Sequence, residues 1–542
     1  MRVLIQTAAY CCLDGVSETI RKIEAHLLLS YPSSEVCILT TRTGNLDNLD
    51  LVFRKYVDGK VGAEEGKRAR SRRKVIFVSA LKLPVMDFYD YQLGLRLYKQ
   101  DRERITAWNP SVIHTTVPDL LNLDLINLAR RTSTPLISTF HSNYIKYMDY
   151  YESPWIKVVL EHWMRHMFSF VPVLYVPTRY YKGLMSRGDY HLDKCVDIRV
   201  WSRGVDTEYF RPGLREERTG GETFRERMGF KADDVVVTFV GRLVVEKNPR
   251  IFIQVLLKLK AAGYENVRGL LVGEGDWKKI AEEEGGGLIT TTGWLKGKEL
   301  VSAFASSDIF LFPSGCETFG NVTLEACSCG VPIVVESGCS SHLVEGNGFE
   351  CKPNDVEGFY EATRKLVEDG GMRREMGKRS REEIAGRYKV GDVMEQMVGN
   401  YEEAITTQVG DKGSSVPRFE DNEFNFPWGR TEHPVVLNMI EAVFWVVVTS
   451  CVKGVQFYHF CSSFVAFRCA LGAVNGAAKV VWGVTGKVLP QGGQKTGRKT
   501  GQMSASKRAY NWIGDALAWC ILTPLADKPP IFKDDKRRKK DV

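Results

Sequence analysis

The sequence predicts an α/β protein of two doubly wound domains, followed by an apolar and basic C-terminal extension. Three observations predict it. Short apolar runs alternate with helical patterns twice along the chain, which implies two parallel sheets with crossover helices. A turn-rich break separates the two series. The composition, 44% apolar and 26% charged, suits a globular protein and is too apolar for disorder throughout.

In the first series, 3–7 reads as a strand, 16–29 as a helix with apolar residues at helical spacing, and 36–40 as the next strand. Runs at 75–78, 112–115, 136–139 and 173–176 continue it. Residues 67–74 interrupt with six basic residues in eight. A linker is expected near 213–222, rich in Gly, Arg, Glu and Thr. The second series has strands at 235–240, 269–272, 309–312 and 331–335, and helices at 250–261, 298–305, 323–329 and across 355–387. The expected division is 1–205, 206–405, a polar linker at 406–434, and an extension at 435–542.

The extension has a different texture. Residues 435–452 are 18 positions with one charge, Glu441, and 455–471 are nearly as apolar. Residues 487–542 hold 13 basic and 5 acidic residues, a balance of +8 that equals the net charge of the whole chain, so 1–486 sum to zero. A neutral body excludes a whole-surface nucleic-acid binder, because phosphate neutralisation needs basic side chains across the folded face. It points to an acidic surface, such as anionic lipid, touched by one end of the chain. Residues 435–452 read as a short bilayer span, as part of an interfacial patch with 512–526, or as core helices of a small appended domain. The ending Lys539-Lys540-Asp-Val resembles the dilysine signal of endoplasmic-reticulum membrane proteins. The opening Met1-Arg-Val-Leu-Ile-Gln reads directly as a strand, so neither a secretory signal nor a transit peptide is expected. The 13 cysteines show no paired zinc spacing, which suggests reduced thiols and a cytosol-facing, membrane-associated body.

The residues with chemical promise follow strand ends. Gly15, in Asp14-Gly15-Val16-Ser17, lets backbone approach a ligand where a helix start offers free N–H groups; a plain turn explains it as well. Arg242 and Lys247, in Gly241-Arg242-Leu-Val-Val-Glu246-Lys247-Asn-Pro249, place two cations beside a helix start, suited to a diphosphate. Gly273-Glu-Gly275 is a nucleotide turn or simply a tight one. The strongest stretch is Phe312-Pro-Ser-Gly-Cys-Glu317-Thr-Phe-Gly320-Asn-Val-Thr-Leu-Glu325. Here Glu317 sits at a strand's carboxyl end, Thr318 to Val322 offer backbone N–H groups, and Glu325 lies one to two turns into the helix.

Glu317 and Glu325, with seven residues between them, and Gly-Arg-Leu-x-x-Glu-Lys resemble the retaining nucleotide-sugar glycosyltransferases of the GT-B fold, family 4. Ser138-Thr-Phe-His141-Ser-Asn-Tyr144 and Trp201-Ser-Arg-Gly204-Val-Asp206 match as well. The resemblance covers roughly 1–405 and is greatest to GDP-mannose-dependent α-mannosyltransferases and sulfoquinovosyltransferases that build glycolipids. It implies two Rossmann-like domains facing a cleft. It implies that Arg242 and Lys247 bind the diphosphate, Glu325 the ribose, and Glu317 the transferred sugar with the backbone of Thr318, Phe319, Gly320 and Asn321. Gly15 and Gly273 would border the donor, and His141 would lie beside its sugar. The implied partners are a nucleotide-sugar donor, a lipid or glycan acceptor and a membrane surface, with no nucleic acid. No Asp-x-Asp motif occurs, so no metal and no cofactor beyond the co-substrate is expected. The expected reaction is hexose transfer, mannose favoured, with retention. The alternatives are sulfoquinovose transfer to diacylglycerol, which the missing transit peptide disfavours, and an inactive scaffold subunit. The chain departs from the family pattern at Ser337-Gly-Cys-Ser-Ser341, where relatives often carry a Gly-Gly turn.

Overall fold

Arg2–Gln6, the first strand, carries Val3, Leu4 and Ile5 with no exposed surface, and it lies in the interior of the first of two large sheets. The computed structural model describes residues 1–410 apart from 59–60, 83–91, 151–153, 188–189, 191 and 193–195. The expectations for 411–542 therefore lie outside the described residues.

The first sheet is parallel. Its strands are β1 (Arg2–Gln6), β2 (Glu35–Thr40), β3 (Arg73–Phe77), β6 (Val112–Thr115), β7 (Leu136–Thr139), β8 (Val173–Val176) and β9 (Asp197–Val200), in the order β3-β2-β1-β6-β7-β8-β9. Between β3 and β6, β4 (Ser79–Lys82) and β5 (Gln92–Arg96) pair antiparallel. The expected linker holds a helical turn, Pro212–Glu216, and a small hairpin of β10 (Arg218–Thr219) and β11 (Glu222–Thr223), turned by Gly220 and Gly221 at φ +65° and +92°.

The second sheet is also parallel. Its strands are β12 (Val235–Val240), β13 (Val267–Val272), β14 (Ile289–Gly293), β15 (Ile309–Phe312), β16 (Ile333–Glu336) and β17 (Gly348–Cys351), in the order β14-β13-β12-β15-β16-β17. β12, β15 and β16 are buried along their whole length, as continuous apolar runs covered by helices on both faces require. β9, β14 and β17 escaped the sequence reading. All three are edge strands, and Asp-Ile-Arg-Val, Ile-Thr-Thr-Thr-Gly and Gly-Phe-Glu-Cys carry too little apolar pattern to be distinctive. Strand order reverses between β1 and β6 and again between β12 and β15. Doubly wound sheets form their ligand crevice at such a point, outside the carboxyl ends of the strands.

Two features depart from the linear reading. The helix Val390–Gly410, counted by sequence with the second half, packs on the first sheet. Val393, Met394, Met397, Val398 and Tyr401 join Val3, Ile5, Val36, Ile38 and Trp201 in one buried cluster, and the Trp201 indole N–H donates to the Val393 carbonyl at 2.9 Å. The basic run 67–74 is also partly structural. Arg73 is almost fully buried against Glu24, 2.6 Å away. Arg72 donates to the Tyr31 and Ser34 carbonyls, each at 3.0 Å, and Arg70 pairs with Asp58 at 2.7 Å. The run spans the end of helix Ala63–Ser71 and the start of β3, so these three cations brace the fold.

Candidate active site

The first domain contributes the loop from β1 into helix Gly15–Ser30. Arg21, fully buried, donates to the Cys12 carbonyl at 2.7 Å and to the Tyr10 carbonyl, which fixes the loop from below. Asp14 caps the helix by accepting from the Ser17 amide at 2.7 Å. Gly15 follows, and a Cβ there would lie 2.9 Å from Asn321 Nδ2 of the second domain. Asn321 opens the helix Asn321–Ser328. Two helix N-termini, one from each domain, thus meet at the crevice, and each adds partial positive charge and free N–H groups.

The second domain forms the floor. Gly273 has φ +143°, and a Cβ there would sit 1.8 Å from the Gly241 carbonyl oxygen; at Gly275 the corresponding distance to the Leu243 carbonyl is 2.4 Å. The glycines let the loops after β12 and β13 stack, joined by Leu243 N–H to the Glu274 carbonyl at 2.9 Å. Gly273 is therefore required by backbone approach, whichever ligand the floor carries. The stacked loops present Arg242 and the turn Val245–Lys247. Arg242 pairs with the buried Glu246 at 3.2 Å. Burial pulls the Arg242 guanidinium below its usual range, opposed by Glu246, Glu317 and Asp14. Lys247 donates to the Cys316 carbonyl at 3.1 Å and is ion-paired with Glu317. Ser314 donates to the same Glu317 oxygen at 3.1 Å.

The loop from β15 into Asn321–Ser328 depends on Gly320 at φ +94°, where a Cβ would lie 2.1 Å from Ser340 Oγ. The divergent segment 337–341 thus packs directly against the helix start. Phe319 is buried between His342 and Tyr388, with ring centroids at 4.6 and 5.5 Å, so its side chain anchors the loop and only its backbone can serve a ligand. Two hydrogen bonds cross between the domains here. Thr318 Oγ1 donates to the His141 carbonyl at 2.8 Å, and the Tyr181 hydroxyl donates to the Glu317 carbonyl at 3.0 Å. Glu325 turns toward the first domain. Burial pushes its carboxyl up to about 7, with Lys22 and Lys55 pulling it back. Lys22 also donates to the Gly204 carbonyl at 2.8 Å.

His141 reaches the cleft through its backbone. Its ring is engaged at both nitrogens, Nδ1 with Arg203 Nη2 at 3.1 Å and Nε2 with Thr139 Oγ1 at 2.7 Å. The chain continues from Thr139 Oγ1 to His114 Nε2 at 2.8 Å, and from His114 Nδ1 to the Tyr401 hydroxyl at 2.8 Å. Arginine only donates, so every later proton is ordered: Arg203 to His141, His141 to Thr139, Thr139 to His114, His114 to Tyr401. Burial holds both imidazoles well below their usual range, hence neutral. The arrangement places His141 as a fixed part of the cleft wall, tied through the sheet to the crossing helix. No ring nitrogen is left to exchange a proton with a substrate.

The structure therefore gathers Gly15, Arg242, Lys247, Glu317, Thr318, Asn321 and Glu325 at one junction, with Gly273, Phe319 and Gly320 shaping it and His141 bonded to it through a carbonyl. Sequence reasoning missed Lys22 and Arg203. Only Arg203 lay within a quoted motif, and nothing in its local spacing announced that it would order a buried histidine.

The chain is similar to known proteins over much of its described length. The family Glycosyl transferases group 1 matches residues 221–383 and Glycosyltransferase Family 4 matches 58–209. A sulfoquinovosyl transferase of Arabidopsis thaliana is 29% identical over 315 residues, 56% of this chain, and the match spans 59% of that protein's length. A GDP-mannose-dependent α-mannosyltransferase of Mycobacterium tuberculosis is 26% identical over 324 residues, 59% of this chain and 75% of the relative. Among solved structures, Anabaena HepE in complex with UDP superposes with a TM-score of 0.56 at 16% identity, covering 74% of this chain and 100% of that one. Sucrose-phosphate synthase from Thermosynechococcus elongatus gives 0.55 at 15% identity, over 75% of this chain and 100% of that one. These neighbours share the GT-B fold.

Proposed function

We propose that this chain, which matches the family Glycosyl transferases group 1 over 221–383 and Glycosyltransferase Family 4 over 58–209, transfers a hexose from a nucleotide-sugar to a lipid or glycan acceptor, with retention of anomeric configuration. Mannose from GDP-mannose is the first choice of donor. The observation that carries the reading is the meeting of two helix N-termini beside Arg242 and Lys247, whose charges answer Glu246 and Glu317. A donor diphosphate replaces Glu317 as the partner of Lys247. Glu317 is then free to accept from a sugar hydroxyl. As the bond from the anomeric carbon to the diphosphate breaks, charge grows on the leaving oxygen, where fixed cations and helix amides lower the barrier most. The acceptor hydroxyl attacks the anomeric carbon on the face the leaving group vacates, and its proton passes to the departing phosphate. No metal is required in this scheme, and assays with and without chelator test that.

The test is nucleotide release from a donor panel, with dialkyl lipids as acceptors and the product anomer read by NMR. Release with an α-linked product supports the reading. An inverted anomer overturns the mechanism, and no release from any donor favours an inactive scaffold. Sulfoquinovose transfer is the second reading, favoured by the 29% identity to the plant transferase. Attachment to a membrane with cytosol-facing catalytic domains, at the endoplasmic reticulum, is assigned to 435–542. Among the described residues no helix is long and apolar enough to cross a membrane. Fractionation of the full chain and of 1–430 tests this attachment, and equal solubility of both refutes it.

A further inference from the structure

Beside Glu317 stands a second carboxylate that no motif anticipated. Glu336 ends β16, the neighbour of β15, whose carboxyl end leads to Glu317. It opens the segment where the chain leaves the family pattern. The residue is 5% exposed, and its Oε2 accepts from the Asn354 amide at 3.4 Å. Its Oε1 faces Gly315: a Cβ on Gly315 would lie 3.0 Å from that oxygen and 1.9 Å from the Tyr150 hydroxyl. Glycine at 315 is thus what lets a phenol from the first domain and a carboxylate from the second share one small space. Tyr147, from the same stretch of the first domain, is half-buried near Cys316, Glu317 and Glu246. Of the cations, Lys247 and Arg242 belong to the diphosphate in the proposed reaction. Burial pushes the Glu336 carboxyl up, and the Asn354 amide and Lys146 pull it back; Lys146 is half exposed and shared with Asp149 at 3.4 Å.

We propose that Glu336 is a specificity-determining residue, which with Glu317 borders the sugar end of the cleft with carboxylates and so selects a neutral hexose over one bearing a sulfonate or carboxylate. Carboxylates accept hydrogen bonds from hydroxyls, whereas a like charge in a poorly hydrated cleft finds no compensating partner. The inference rests on the donor reading above and sharpens it against sulfoquinovose.

The experiment is calorimetric binding of donor pairs that differ in charge on the sugar: UDP-glucose against UDP-sulfoquinovose and UDP-glucuronate, and GDP-mannose against GDP-mannuronate. It uses the full chain and its Glu336→Gln variant. Within a pair, the neutral member binds the unsubstituted protein about tenfold or more tightly. Glu336→Gln narrows that ratio to within about threefold, chiefly by strengthening the charged member. Equal binding of both members by the unsubstituted protein overturns the proposal, whatever the variant does; so does an unchanged ratio in a folded variant. A binding ratio that follows expectation, with no turnover of any donor, leaves the specificity intact and sinks the transferase reading. If no donor binds at all, both fall.

Discussion

Burial pushes the Glu325 carboxyl from the ordinary 4.5 up to about 7, and Glu325→Gln makes that burial measurable as a pH dependence of stability. A tenfold change in proton affinity corresponds to about 1.4 kcal/mol, so full conversion would be about 3 kcal/mol, and partial contact with solvent lowers the expected effect to about 1–3 kcal/mol. The sign follows from proton binding. The folded protein holds this proton more tightly than the unfolded chain, so the group's contribution is complete below about pH 4.5 and is lost as pH rises through about 7. Above that, the fold carries a buried charge that Lys22 and Lys55 offset only in part. Glutamine keeps the shape without the charge. Lys22 retains Glu18 and the Gly204 carbonyl as partners in the variant. Urea unfolding of both proteins from pH 4.5 to 8.5, followed by tryptophan fluorescence, reads the difference. The variant is the more stable by about 1–3 kcal/mol at pH 8, and the gap closes toward pH 4.5. A gap that does not change with pH, or a variant less stable at pH 8, would show that burial does not set the protonation of Glu325.

Glu317→Ala and Lys247→Met each lower kcat by about 100-fold or more, the usual cost of removing one fixed group that meets developing charge, while the circular dichroism spectrum persists; near-normal turnover removes either residue from the site. Tyr401→Phe leaves the His114 Nδ1–H without its acceptor inside the first domain, and destabilises by about 1–3 kcal/mol in chemical denaturation; an unchanged midpoint disproves the ordered proton chain. Gly320→Ala meets both left-handed backbone strain and the Ser340 hydroxyl, and lowers the thermal midpoint. Adding Ser340→Gly recovers part of that loss, because the contact is relieved and the strain is not. No recovery would mean that the contact is unimportant.

Much of the site was legible because its parts are local. Arg242 and Lys247 are five positions apart on one loop, and Glu317 and Glu325 lie on one strand end and the helix it feeds, so chain spacing alone holds each pair near the same crevice. Gly320 and Gly273 could be recognised as turn residues, but not what they touch. What stayed hidden depends on pairs far apart in the chain. Nothing in the spacing connects His114, inside the run 112–115, with His141; Thr139 and Tyr401 tie them together only in the fold. The cluster 67–74 looked like one basic patch until Arg73 proved to be the partner of Glu24.

Two alternating series of apolar strands and helices, each with a glycine in the turn after its first strand and the second with two cations there as well, determined the doubly wound architecture and the general place of the crevice. Such patterns record how each segment buries its own faces, and that is a local property. How the two sheets are set against each other is not local. Only the tertiary structure brought Tyr150 over Gly315 beside Glu336, set Gly15 against Asn321, and carried the helix Val390–Gly410 back to the first domain. Those contacts arise from the relative orientation of two separately formed cores, which no spacing along the chain encodes.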